Sequence, residues 1–249
     1  MARPILATAA ALAAFTAVVV GGAMQGIDNW AIDHAMPGLN PFARHSIVSR
    51  TGLWRPFPLH SEWWEKVLDS YLYPASFLIS MLIVGTCSFV LARRGEHVPA
   101  AVWLGTWVAA NAAELAGKTG LERPDLRWTN GRETIPLYSF DSSYPSGHTT
   151  RAVVLAATVA YVFPRLRPPA AAWLVLVPPA LVIAGDHTIS DVVGGVLLGL
   201  LLVLAAHAII RRWTRWRTSS PSSSEESSET RRRSSPTLRA AASISPTRS

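Results

Sequence analysis

Long, nearly unbroken apolar runs alternate with short polar segments along this chain. The runs fall at residues 5–24, 67–92, 98–117, 149–163, 170–185 and 192–210. Crossing a bilayer core takes roughly 20 apolar residues in helical form. Lipid offers no solvent to backbone N–H and C=O groups, so a helix, which satisfies them internally, is the spanning form this pattern supports. The pattern predicts an all-α, integral membrane six-helix bundle. Residues 1–24 read as a first transmembrane helix or uncleaved signal anchor. The small residues Gly21, Gly22 and Ala23 at the end of that run also suit a cleaved leader.

Residues 25–66 read as an extracytoplasmic loop with an interfacial aromatic segment, Trp54, Phe57, Trp63 and Trp64, because such rings favour the headgroup zone. Residues 67–217 form the transmembrane core. Within it, residues 118–147 are a polar loop too long for idle connection. Residues 218–249 are rich in Ser, Thr, Pro, Glu and Arg and lack the apolar surface needed to fold, which predicts a disordered cytoplasmic tail. With the amino terminus inside, Arg3, Arg93, Arg94, Arg165, Arg167 and the basic run from 211 to 217 all fall in the cytoplasm. The chain is thus expected to be a multi-pass protein of the cell membrane.

Composition narrows the picture. The sequence is 49% hydrophobic and 16% charged, which excludes an ordinary soluble domain. Its net charge of +7 resides on basic residues at the ends of apolar runs, the place of membrane anchors, so no nucleic-acid partner is expected. Cys87 is the one cysteine, which excludes an internal disulfide framework and a cysteine metal cage. All but two of the 23 basic residues are arginine, and Lys118 is one of the two lysines.

Three polar clusters exceed what a span pattern needs: KTGLERP from Lys118, YPSGH from Tyr144, and HTISD from His187. The predicted topology brings all three to the outer membrane surface. Lys118 and Arg123 flank a glycine-containing turn and can bend onto one anion, or snorkel to the surface as helix-end cations. Ser146 and Gly147 open an apolar helix whose free amides and dipole suit an anion, or they form an ordinary cap beside an exposed His148. His187 and Asp191 stand four apart, the spacing for a carboxylate to orient an imidazole; a capping aspartate or half of a metal site has the same spacing. Their conjunction favours a site over three separate coincidences.

In this order and spacing the motifs resemble the type 2 phosphatidic acid phosphatase superfamily, membrane lipid phosphatases related to haloperoxidases. The resemblance covers residues 67–210 and implies a metal-independent, cofactor-free phosphatase with an extracytoplasmic active site. It implies that His187 attacks phosphorus to form a phosphohistidine, with Asp191 orienting it. His148 then protonates the departing group, while Lys118, Arg123, Ser146 and Gly147 hold the phosphoryl oxygens. The expected partner is a lipid phosphate or diphosphate substrate of the polyprenyl diphosphate or phosphatidic acid type.

Two positions depart from the family pattern. Ala180 and Leu181 stand where the family has Ser-Arg, and Asp125–Leu126 follows Pro124 in place of a second Arg-Pro. Losing a preorganised phosphate-binding donor costs on the order of a thousandfold in rate. Arg151, three residues beyond His148, is the expected replacement cation, with Arg127 and Arg132 weaker candidates. Glu114 is placed to support Lys118 through an i,i+4 pair. The substitution at Leu181 also motivates a second reading, a non-catalytic lipid-phosphate binder or scaffold.

Overall fold

The computed structural model describes residues 2–35, 67, 70–129, 134–136 and 143–219. Among them, seven α-helices follow in order: α1 Ala2–Val20, α2 Gln25–His34, α3 Phe77–Arg93, α4 His97–Gly120, α5 Gly147–Val162, α6 Arg167–Ile183 and α7 Ile189–Ser219. A two-stranded antiparallel ribbon, β1 Arg127–Thr129 with β2 Thr134–Pro136, lies in the segment read as a polar loop. The aromatic segment at Trp54–Trp64 and the tail beyond Ser219 lie outside the described residues.

Three helices are long and apolar enough to cross a membrane: Ala2–Val20, Pro164–Ile183 (α6 with its leading 3-10 turn) and Ile189–Ser219; α3 is a shorter apolar helix. The other two predicted spans coincide with α4 and α5. Each of these carries polar groups at one end: Asn111, Glu114 and Lys118 on α4, and His148 and Arg151 on α5.

Boundaries shift where local chemistry outweighs hydropathy. The run at 67–92 is broken by a 3-10 turn at Tyr73–Ala75, because Pro74 has no N–H to continue an α-helical ladder. α7 continues past Ile210 to Ser219: Arg and Trp are tolerated in a helix, and no glycine or proline interrupts before Pro221.

Residues 1–210 form one compact unit. Inside it α3, α4, α5 and α6 pack on one another, with α5 in contact with the other three. Eleven of its 16 residues are buried, so α5 is the central helix. One core cluster gathers Ala31, Ile32, Leu72, Ala75, Ala152, Leu181 and Val192; a second surrounds Trp103 and Leu91. Residues 211–249 form the other unit, whose described part is the end of α7, with the Trp213 and Trp216 rings 5.1 Å apart.

α5 and α7 meet through glycines. A Cβ at Gly199 would lie 2.6 Å from Val153 Cβ, one at Gly195 would lie 2.6 Å from Ser146 O, and one at Gly194 would lie 2.3 Å from the Tyr144 ring. Only hydrogen at those positions permits this approach. The approach brings the start of α5 against the start of α7, where two of the three motifs lie.

Candidate active site

The YPSGH motif folds as a capped helix start. Ser146 is the N-cap of α5, and its Oγ accepts from the Thr149 N–H at 3.2 Å and the Thr149 hydroxyl at 3.0 Å. The Ser146 N–H donates to the Asp191 carbonyl at 3.0 Å, which locks the starts of α5 and α7 together. The cap reading of Ser146 is therefore realised, and its amide is engaged within the protein. His148, one residue into α5, is half-buried, and its ring centroid lies 6.0 Å from that of His187.

The HTISD motif folds as a reciprocal cap. The Asp191 N–H donates to Thr188 Oγ1 at 3.4 Å, and the Thr188 N–H donates back to Asp191 Oδ2 at 3.0 Å. This pairing of N-cap and third helical residue satisfies two otherwise free amides. His187 consequently precedes the helix and does not share its first turn. Its Nδ1 stands 3.7 Å from Asp191 Oδ2, beyond hydrogen-bond distance, and has no hydrogen-bond partner among the described residues. The direct orienting bond expected from the sequence is not formed here, because Asp191 is already occupied. Oδ2 also accepts from the Ser143 hydroxyl at 2.7 Å, and Oδ1 accepts from Arg123 Nη1 at 2.6 Å.

Arg123 is drawn inward. Nη1 donates to Asp191, and Nη2 donates to Asp28 Oδ2 at 2.8 Å, with the guanidinium buried between the two carboxylates. Asp28, on α2, is fully buried; its Oδ1 accepts from the Ser190 N–H at 2.9 Å and its Oδ2 from the Ser190 hydroxyl at 2.6 Å. Burial pushes the Asp28 carboxyl above its ordinary range, against the lowering pull of Ser190 and Arg123. Sequence reasoning missed Asp28. It is a lone acid 95 positions from Arg123, and no local spacing marks it.

A second ionic group is centred on Glu114. Oε1 accepts from Lys118 Nζ at 2.7 Å, the expected i,i+4 pair, and Oε2 accepts from Arg151 Nη1. Arg151 is buried, and it donates also to Asn111 Oδ1 at 3.1 Å and to the Ala75 carbonyl at 2.9 Å. A Cβ on Gly147 would lie 1.9 Å from the Glu114 carboxyl carbon, so the carboxylate is seated directly on the first residue of α5. Arg151 thus faces the protein beside the site. Arg127 is exposed, with its N–H bonded to Asn29, and stands apart from this group. Leu181 is fully buried, and its cluster includes Ala75, the residue whose carbonyl Arg151 caps.

The arrangement holds two histidines with tilted rings 6.0 Å apart, one flanked by a carboxylate-guanidinium group and the other by a lysine and an arginine. That inventory suits transfer of a phosphoryl group: an imidazole nucleophile, a second imidazole for proton donation, and cations for the equatorial oxygens. Among the described residues, no three of His, Cys, Asp and Glu come together in a way that could hold a metal ion.

Comparison with known proteins bears on family and fold. Residues 100–215 match the family model of the PAP2 superfamily. A solved structure, a transmembrane PAP2-type phosphatidylglycerolphosphate phosphatase from Bacillus subtilis, superimposes with a TM-score of 0.57 at 18% identity, covering 84% of this chain and 96% of that one. At that identity the likeness speaks for the fold. No curated protein matches the sequence.

Proposed function

We propose, from the premise that this is a PAP2-superfamily chain, that it hydrolyses a membrane lipid phosphate or diphosphate at the outer face of the cell membrane. The observation that carries the proposal is the 6.0 Å approach of His148 and His187, each with its own charged group. His187 attacks phosphorus through Nε2, since Nδ1 is the nitrogen turned to Asp191. The phosphorus–oxygen bond to the lipid breaks as the phosphorus–nitrogen bond forms, and His148 gives its proton to the departing oxygen. His148 then takes a proton from water, whose oxygen displaces His187 and releases inorganic phosphate. Hydrogen bonds to catalytic histidines often tighten only when substrate is bound, so the 3.7 Å His187–Asp191 separation fits a resting site.

Lys118 and Arg151 supply the cations for the phosphoryl oxygens. Arg151 stands in for the family arginine lost at Leu181: it reaches from α5 to the Ala75 carbonyl, and Ala75 packs in the same cluster as Leu181. Arg123, expected as a phosphate ligand, acts on the same site from behind by holding Asp191. The second reading, a lipid-phosphate binder without turnover, draws on Leu181 and on the pairing of both cations to Glu114. Binding alone, however, has no use for two histidines held at this separation.

The test is phosphate release by detergent-purified protein from phosphatidic acid and a polyprenyl diphosphate, with EDTA present and His187→Ala in parallel. Release that survives EDTA and disappears in the variant is expected. Binding of these lipids without release would replace the hydrolase with the binder.

A further inference from the structure

The buried ionic group behind His187 contains one more acid than an orienting pair needs. Arg123 alone would neutralise Asp191 through the 2.6 Å contact, leaving a neutral unit with little to offer an imidazole that becomes cationic as it bonds to phosphorus. Asp28 alters that count. It takes the second guanidinium nitrogen at 2.8 Å, so two carboxylates share one arginine and the trio keeps a net negative charge beside His187. Every neighbour hydrogen-bonded to the Asp28 oxygens is a donor: Arg123 Nη2, the Ser190 N–H and the Ser190 hydroxyl. The guanidinium N–H and the Ser190 N–H can only donate, which suits a carboxylate at Asp28.

The same contacts fix position. Ser190 immediately precedes Asp191, and both its donors end on Asp28, so the first turn of α7 is pinned to α2 next to the orienting carboxylate. Asp28 lies outside residues 100–215, the part that the family model matches, and is brought in by α2.

We infer that Asp28 is a positioning residue for the phosphoryl transfer proposed above: it divides Arg123 between two carboxylates and pins Ser190, which leaves Asp191 charged and aimed at His187. The inference rests on that hydrolase reading. Asp28 does not face the substrate, so its loss slows transfer to His187 without weakening lipid binding. An effect through the electrostatics of the transition state enters kcat; an effect on lipid binding would enter KM.

The experiment compares full-length wild type, Asp28→Asn, Asp28→Glu and Ser190→Ala in detergent, with the lipid phosphate that wild type hydrolyses fastest. It reads kcat, KM, and both the rate and the amplitude of base-stable phosphoenzyme after rapid quench. Asp28→Asn is expected to lower kcat and the phosphorylation rate at least tenfold, with KM within twofold. Asp28→Glu recovers most of that loss. Ser190→Ala, which removes one of the three donors, lowers kcat several-fold in a fold that retains the Asp28–Arg123 pair. Loss of amplitude at an unchanged rate would mean that Asp28 only keeps molecules folded, and would overturn the inference. So would a kcat within twofold of wild type, or a rise in KM with kcat kept. Wild type without His187-dependent release would instead remove the hydrolase reading, and the inference with it.

Discussion

Gly195→Ala tests how closely the catalytic geometry depends on the seam between α5 and α7. The added methyl would lie 2.6 Å from Ser146 O, 2.9 Å from Thr149 Cβ and 3.3 Å from Ser146 Cβ, whereas ordinary contacts begin near 3.4 Å. The nearest obstacle is a backbone oxygen that accepts from Thr150 N and Thr150 Oγ1, so no flexible side chain can swing aside. The helix starts must separate by about 0.8 Å, which follows from the same contacts. Overpacking of this kind costs about 1–3 kcal/mol, and replacing a mid-helix glycine by alanine returns up to about 1 kcal/mol. The net loss of stability is therefore modest, at most about 3 kcal/mol. The effect on chemistry is larger, because the seam carries the Ser146–Asp191 hydrogen bond and sets the distance between His148 and His187. A misplacement near 1 Å lowers turnover by on the order of a hundredfold. The assay pairs a thermal melt in detergent with lipid phosphate turnover. The expected result is a modest shift in melting with at least a tenfold loss of turnover. Turnover within twofold of wild type would refute the claim that this seam sets the histidine separation.

Two further substitutions probe the relocated cation. Arg151→Ala leaves the Glu114 carboxylate, Asn111 and the Ala75 carbonyl without their shared partner; breaking a buried pair from one side costs about 3–5 kcal/mol, so a lower melting temperature and at least a tenfold loss of turnover are expected. Wild-type turnover in Arg151→Ala alongside abolition in Arg123→Ala would show that Arg151 does not serve the substrate. Leu181→Arg restores the family residue but puts a second guanidinium into a cluster lined by Ala75, Ala152 and Val177. It is expected to destabilise the fold with no gain in turnover, and turnover above wild type would show that the site still lacks a cation.

Much of this was legible in the sequence because it depends on near neighbours or on strong composition. The apolar runs marked most of the helices, and Ser146–Gly147 marked a helix start through cap chemistry. The Glu114–Lys118 pair followed from i,i+4 spacing. Arg151, read from the sequence as a replacement cation, is buried and paired with Glu114. What stayed hidden depends on distant partners or on competition for one group. Nothing near Asp28 announces Arg123, and nothing near Ser143 announces Asp191. The His187–Asp191 spacing matched an orienting pair and a helix cap equally well; only the fold shows Thr188, Ser143 and Arg123 taking up the carboxylate. Hydropathy carries the fifth run through Pro178 and Pro179, and α6 does continue through both, neighbouring packing outweighing the lost N–H groups.

The Glu114–Arg151 contact has a consequence for how the chain enters a membrane. It joins α4 and α5, the two helices at predicted spans that are not among the apolar ones. A charged residue costs a lone span up to about 2.5–3.5 kcal/mol at the bilayer centre and less toward its ends, where Glu114 and Arg151 lie. α4 pairs Glu114 with its own Lys118, but α5 has no acid of its own, so Arg151 enters lipid more readily beside Glu114 than alone. α4 and α5 are therefore a single unit of insertion, a hairpin whose connecting segment bears Arg123, Ser143 and Tyr144. The charges that arm the site also decide the order in which the bundle is assembled.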